Sequence, residues 1–347
     1  MASKPYRRGL IVGKFAPLHR GHEHLIRTAQ AKCENLVLVS YTRPEFPSCS
    51  AGLRENWLKS LAPDATVLVV DAPVIEQWRN EGGWKLPMPL NSDPADTHRE
   101  FTAQLVAQKL KLKPDVVFTS EDYGDGFARY LSDHGIGYGA EVKHKCVDID
   151  RLANPVSGTS IRSSTGFSQA QLSESVTRDF RVKKFCFLGG ESTGKSTLSA
   201  LMANEFNAPL VDEYGRTLWE HNGGLLTQED LITICRTQTA NEDRAQQEAA
   251  GYVFCDTSPL TTLCYSETLF NTRPALLEAF TERPYHQVFL CLPDFPFMQD
   301  GTRKTEEFRQ WQNDWYLAEL ERRQIPFSRL SGTLEERALQ IRRVIEG

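Results

Sequence analysis

The chain has 347 residues, a length that suggests two domains of ordinary size, each able to bury its own core. Forty basic against 45 acidic residues give a formal net charge of -5, and neither sign forms a long run, which argues against a nucleic-acid face or a polybasic membrane anchor. The eight cysteines show no C-x-x-C pair and read as buried thiols of a reducing compartment; with no signal-peptide core and no apolar run near ~18 residues, the cytoplasm is expected.

Residues 10–12 predict a short strand that leads at once into GKFAPLHRGH, Gly13 to His22. Leu25, Ile26, Ala29 and Cys33 then trace one face of a helix. Further strands are expected at 36–40, 65–70, 116–120 and 142–148, with helices at 51–61 and 98–112. Alternating strands and helices predict a parallel sheet covered on both faces, with ligands at the carboxyl ends of its strands. His19 and His22 fall near the first turn of the first helix, beside its N–H groups and next to Gly13, where two donors suit a phosphate; a His pair there is also an ordinary surface feature. Near the end of this half, PVSGTSIR supplies Ser157 as a helix cap and adds the Thr159 hydroxyl and the Arg162 guanidinium, a second anion-binding terminus.

His-x-Gly-His after a first strand, with Ser157-x-Thr159-x-x-Arg162 before a closing helix, resembles the nucleotidyltransferase superfamily that transfers AMP or CMP onto a phosphate. GKFAPLHRGH, SEDYGDGFARYL and PVSGTSIR together look like the bifunctional NadR family, which couples nicotinamide mononucleotide (NMN) adenylyltransferase to ribosylnicotinamide kinase. The resemblance spans about residues 8 to 345. It implies that His19 and His22 contact the ATP phosphates, and that Lys14 with the Gly13–Phe15 backbone holds them at the transfer point. Ser157, Thr159 and Arg162 would grip the β- and γ-phosphates. Because the NMN phosphate is already an anionic nucleophile, no general base is required; alignment and charge neutralisation suffice, with Mg²⁺ accompanying ATP. Where relatives carry Pro-Tyr-Pro and nearby tryptophans, this chain reads VIEQWRNEGGWKLPMPL, so Trp78 and Trp84 are candidates to cover the pyridine ring or to anchor packing. Relatives can also bear an N-terminal helix-turn-helix domain, for which a first strand starting by residue 10 leaves no room.

Residues 163–179 suit a closing helix and linker, with a domain boundary near residue 181. Phe185 to Thr197, FCFLGGESTGKST, matches the P-loop pattern G-x-x-x-x-G-K-[ST] between a strand-like run and a helical one. Gly189, Gly190, Glu191, Ser192, Thr193, Gly194, Ser196 and Thr197 would form the phosphate cradle, Lys195 would reach the β/γ-phosphates, and the Ser196 hydroxyl would ligate Mg²⁺. Strands are expected at 209–213, 252–256, 287–292 and 326–330; Thr227 begins a helix that Gly251 ends.

Asp212-Glu213-Tyr214-Gly215-Arg216 closes one strand and Asp256 another, on the edge where the P-loop lies. In the family reading Glu213, with Asp212 second, takes the proton of the ribose 5'-hydroxyl, Asp212 and Arg216 hold the ribose, and Asp256 is the acidic Mg²⁺ partner; strand-end acids are also common caps. Tyr214 and Trp219 can stack on a pyridinium or simply pack. Arg303, after the fourth strand, is expected to reach the transferred phosphoryl group. The chain is therefore read as α/β, two doubly wound parallel-sheet domains. Residues 1–180 would adenylylate NMN to NAD and 181–347 phosphorylate nicotinamide riboside to NMN, with ATP, NMN, riboside and NAD as partners, no nucleic acid and no membrane; a homo-oligomer is compatible with the sequence. Coenzyme A assembly and a non-catalytic NAD sensor are the rival readings.

Overall fold

The computed structural model describes residues 4–121, 123–139, 141–147, 157–163, 171–298 and 304–346. Two compact units divide the chain, Met1–Phe180 and Arg181–Gly347. Among the described residues no helix is long and apolar enough to cross a membrane.

The first unit holds strands β1 (Tyr6–Gly13), β2 (Cys33–Tyr41), β3 (Thr66–Val70), β4 (Val116–Thr119) and β5 (Lys143–Cys146), in the order β3-β2-β1-β4-β5. Every pairing is parallel. The inner strands are nearly continuous apolar runs because helices cover both their faces; Leu38, Val116 and Phe118 are buried against Ile26 and Trp57 of the helices Arg20–Lys32 and Ala51–Leu61. Strand order reverses beside β1, so the crevice at its carboxyl end is where a ligand is expected.

The helix expected at 98–112 begins earlier, as Ala95–Gln104, and continues as a π-helical turn, Leu105–Leu110, closed by Lys111 at φ 52°. The helix Ala72–Asn80 escaped the sequence reading although it carries a recognisable start: the Asp71 side chain accepts from the Val74 amide at 3.0 Å and Pro73 sits in the first turn. The strand expected at 142–148 is Lys143–Cys146, and residue 148 lies outside the described residues.

The second unit holds β6 (Lys183–Leu188), β7 (Leu210–Val211), β8 (Tyr252–Asp256), β9 (Gln287–Cys291) and β10 (Phe327–Leu330), ordered β10-β9-β6-β8-β7 and again parallel. The strand that precedes the P-loop is therefore central. Phe185, Phe187, Phe254 and Phe289 form one face of its core, and Leu188, Leu231, Leu263 and Tyr316 lie on the other. The strand expected at 209–213 shrinks to two residues because the chain turns at Glu213 into the helix Tyr214–His221. Thr227 does cap the helix Gln228–Glu248, reciprocally with Asp230, but that helix ends at Ala249 rather than at Gly251.

Two charged clusters tie these elements together. Buried Lys184 of β6 donates to Glu242 at 3.0 Å, and Glu242 also accepts from Arg283 and Tyr285. Glu319, buried on the helix Glu306–Arg322, accepts from Arg273, Arg322 and Arg323 at 2.8–3.2 Å. Cys33, Cys49, Cys186, Cys235, Cys255, Cys264 and Cys291 are buried thiols.

Candidate active sites

The first unit has a cavity of about 630 Å³ at the carboxyl ends of β1 and β4. Gly13, Lys14, Phe15, His19, His22, Ser157, Thr159 and Arg162 all line it, so one cleft gathers the residues that two distant sequence segments proposed. His19 is the N-cap of Arg20–Lys32 and only 6 % exposed; its Nδ1 accepts from the His22 amide at 3.3 Å, and His22 Nδ1 accepts from the His19 amide at 3.4 Å. The rings stack with centroids 3.6 Å apart. Since each Nδ1 receives a backbone proton, the neutral ring must carry its own proton on Nε2, so both imidazoles are fixed as donors.

Phe15, buried with φ 48°, packs its ring edge-on against His22 at 4.9 Å and leaves the loop backbone on the cavity wall. Lys14 has its pKa lowered by burial and by the Arg162 charge, while Glu121 opposes the shift. Arg162 donates to the Ala16 carbonyl and to Thr159, and its guanidinium lies over Phe46 at 3.8 Å. Ser157 caps the short helix Gly158–Ser163 by accepting from the Ser160 amide at 3.1 Å.

Trp84 is not brought to this cavity. It is 3 % exposed, donates to the Leu86 carbonyl, and packs against Trp78 and Phe101. The wall there is instead formed by Tyr41, His98 and Thr102, which the sequence reading missed; the Tyr41 hydroxyl bonds His98 Nδ1 at 3.0 Å and Thr102 at 3.1 Å. Behind the loop, buried Arg54 bonds Ser40, whose hydroxyl holds the Lys14 carbonyl at 3.0 Å.

The second unit has a cavity of about 400 Å³ at the end of β6. Gly189, Glu191, Ser192, Thr193, Gly194, Lys195, Ser196, Thr197, Glu213, Arg216 and Trp219 line it. The P-loop needs its glycines: Gly189 has φ 143° and a Cβ there would sit 2.6 Å from the Cys291 carbonyl, while a Cβ on Gly190 would lie 2.7 Å from that of Arg309. Lys195 curls back to the Gly190 carbonyl at 2.9 Å, a contact that a phosphate oxygen can replace. Two buried arginines support the loop from outside the cavity, Arg309 at the Ser192 carbonyl and Arg337 at the Thr193 carbonyl. Glu191 is tied on three sides, its amide to Gln312 and its carboxylate to Tyr265 and the Lys304 amide.

Glu213 is the N-cap of Tyr214–His221 yet makes no side-chain capping bond, so its carboxylate is left to the cavity. Burial raises its pKa, Lys195 pulls it back, and Asp256 adds to the rise. Asp256 is 5 % exposed, and its Oδ1 has no hydrogen-bond partner among the described residues. Burial raises its pKa too, against the Lys195 charge and a hydrogen bond with Ser196. A carboxylate beside a hydroxyl, with one oxygen unsatisfied, fits a hard divalent cation. Among the described residues no three His, Cys, Asp or Glu side chains are placed to hold a metal, so phosphate oxygens would complete such a shell. Arg216 lies 3.8 Å from Glu213. Asp212 is exposed outside the lining, Tyr214 packs on the core, and Arg303 lies outside the described residues.

Residues 184–337 match the AAA domain family. Over 312 residues the chain is 28% identical to the trifunctional NAD biosynthesis/regulator protein NadR of Escherichia coli, an alignment covering 85% of this chain and 71% of the relative. The chain is homologous to NadR. The NadR of Salmonella typhimurium is 29% identical over 314 residues, with the same coverage. A crystal structure of a NadR protein in complex with NR superposes with a TM-score of 0.52 at 19% identity, covering 100% of this chain and 96% of that one, a likeness of fold.

Proposed function

We propose that the chain is a bifunctional NAD-biosynthetic enzyme, with an NMN adenylyltransferase in residues 1–180 and a ribosylnicotinamide kinase in residues 181–347. The observation that carries it is the pair of clefts in one NadR homologue: two imidazole donors at a helix start in one unit, and a P-loop beside half-buried Glu213 and buried Asp256 in the other.

In the first unit the Nε2–H groups of His19 and His22, with Lys14 and Arg162, surround the ATP phosphates. Ser157 and Thr159 contribute hydroxyls at the same place. The NMN phosphate oxygen attacks the α-phosphorus, pyrophosphate leaves, and the fixed positive groups neutralise the charge that develops on it. Because both imidazoles are held by backbone amides, they need no reorganisation as the reaction proceeds.

In the second unit the loop Gly189–Thr197 and Lys195 hold the ATP phosphates. Ser196 and Asp256 would hold Mg²⁺, which when bound neutralises phosphate charge. Glu213 accepts the proton of the riboside 5'-hydroxyl as it attacks the γ-phosphorus, with ADP leaving. Trp219 on the same wall offers an aromatic face to the cationic ring. The test is a coupled assay on the purified chain that follows nicotinamide riboside through NMN to NAD, run beside phosphopantetheine and dephospho-CoA. Conversion of the coenzyme A precursors alone would overturn the reading.

A further inference from the structure

The helix Gln228–Glu248 carries Gln238 at the wall of the second cavity, and only half of its amide is satisfied. Oε1 accepts from the Tyr214 backbone amide at 3.1 Å. That bond settles which way the amide points, since only oxygen can accept there, and it leaves Nε2 as the other end. Among the described residues Nε2 has no partner, although it is buried and the residue is only 3 % exposed. A buried donor without an acceptor costs the protein the desolvation of its N–H groups, so a persistent one calls for an explanation. Lining the cavity supplies it.

The position narrows what the acceptor is. Tyr214, held by Gln238, directly follows Glu213, and Gly215, Trp219, Leu231 and Ile234 form the wall around them. Phosphates have their own cradle in the P-loop and Lys195, on β6 and the helix after it. A neutral amide beside apolar and aromatic neighbours suits a neutral oxygen. We infer that Gln238 is a substrate-binding residue of the kinase, donating from Nε2 to a neutral oxygen of the nucleoside, either a ribose hydroxyl or the ring carboxamide. The inference rests on the kinase reading above and adds the residue that recognises the nucleoside.

Two substitutions in the full chain test it. Gln238→Glu keeps an oxygen acceptor for the Tyr214 amide but cannot donate; Gln238→Met keeps the length and removes both functions. In each, the KM for nicotinamide riboside rises about tenfold, the loss of one buried hydrogen bond. The KM for ATP and the adenylylation of NMN stay at wild-type values, and the riboside alone raises the melting temperature less than it does in the wild type. Ribosides lacking the 2'-hydroxyl, the 3'-hydroxyl or the carboxamide then identify the acceptor. The analogue that has lost it binds the wild type about tenfold more weakly and is not weakened further by Gln238→Met. Unchanged riboside KM in the variants, equal loss for riboside and ATP, or equal sensitivity of every analogue would overturn the assignment. A wild-type chain that leaves the riboside unphosphorylated would instead fail the kinase reading, and the variants would be scored on whichever nucleoside raises the wild-type melting temperature.

Discussion

At His22 a backbone amide decides which ring nitrogen faces the cavity, and that makes the residue's contribution testable apart from its charge. His22→Ala should lower NAD formation from NMN by about 10²-fold, the scale of one preorganised donor, with kinase turnover intact. Unaltered adenylylation would return His22 to the role of a helix cap. Lys195→Ala should give the mirror image, losing ~10²-fold or more in riboside phosphorylation while NMN is still adenylylated. Loss of both activities in a folded chain would contradict two separate sites. Glu213 adds a pH signature. A general base must be ionised, so kinase kcat falls as pH drops through its pKa, and burial places that fall above the ordinary glutamate value of ~4.3. Glu213→Gln should cut kcat by ~10² and abolish the acid limb; if Asp256→Asn alone removes that limb, the proton goes to Asp256. The phosphate loops were legible in the sequence because glycine and lysine spacing encodes backbone geometry directly. The arginines behind them, Arg54, Arg309 and Arg337, were not: a lone arginine in a helical pattern reads as solvated, and only the fold shows that each is buried.

At the scale of elements, strands with long apolar runs announced themselves, whereas Leu210–Val211 was overestimated because its next two residues are polar groups turning into a helix. The helix Glu306–Arg322 is held to the segment around Arg273 and Glu278 chiefly through Glu319. Burial works to raise the Glu319 pKa, but hydrogen bonds from Arg273, Arg322 and Arg323 outweigh it and hold the carboxyl well below its usual range. A depressed carboxylate contributes stability that is complete above the unfolded value of ~4.3 and is lost as pH falls below it. Glu319→Ala should therefore destabilise the second unit by about 2 kcal/mol, toward the low side for a broken buried ion pair because Arg322 stays half exposed. Calorimetry at pH 7 and pH 4 would check this: the gap between variant and wild type should narrow in acid. A gap that is absent at pH 7 would mean the arginines are satisfied without it.

For the whole molecule, the α/β class followed from the alternation of strands and helices, since a sheet of parallel strands is covered on both faces by its crossover helices in almost every case. Cavity walls such as Tyr41, His98 and Gln238 were invisible for the converse reason, that their partners are remote in sequence. That remoteness differs between the sheets. In the first, Tyr6 of the central strand pairs with Cys33, a short stretch of chain away. In the second, the central strand waits for Tyr252 on one side and Gln287 on the other. Closing longer loops costs more entropy before any contact rewards it, and slows folding. On refolding of the denatured full chain, amides of Leu10–Val12 should gain protection from hydrogen exchange before those of Phe185–Leu188, and adenylylation should recover ahead of phosphorylation. Simultaneous recovery would refute that order. During synthesis the same geometry leaves the central strand of the second sheet, with Phe185 and Phe187 still uncovered, unpartnered until the chain has grown past Tyr252, which makes this segment the one that chaperones are expected to hold.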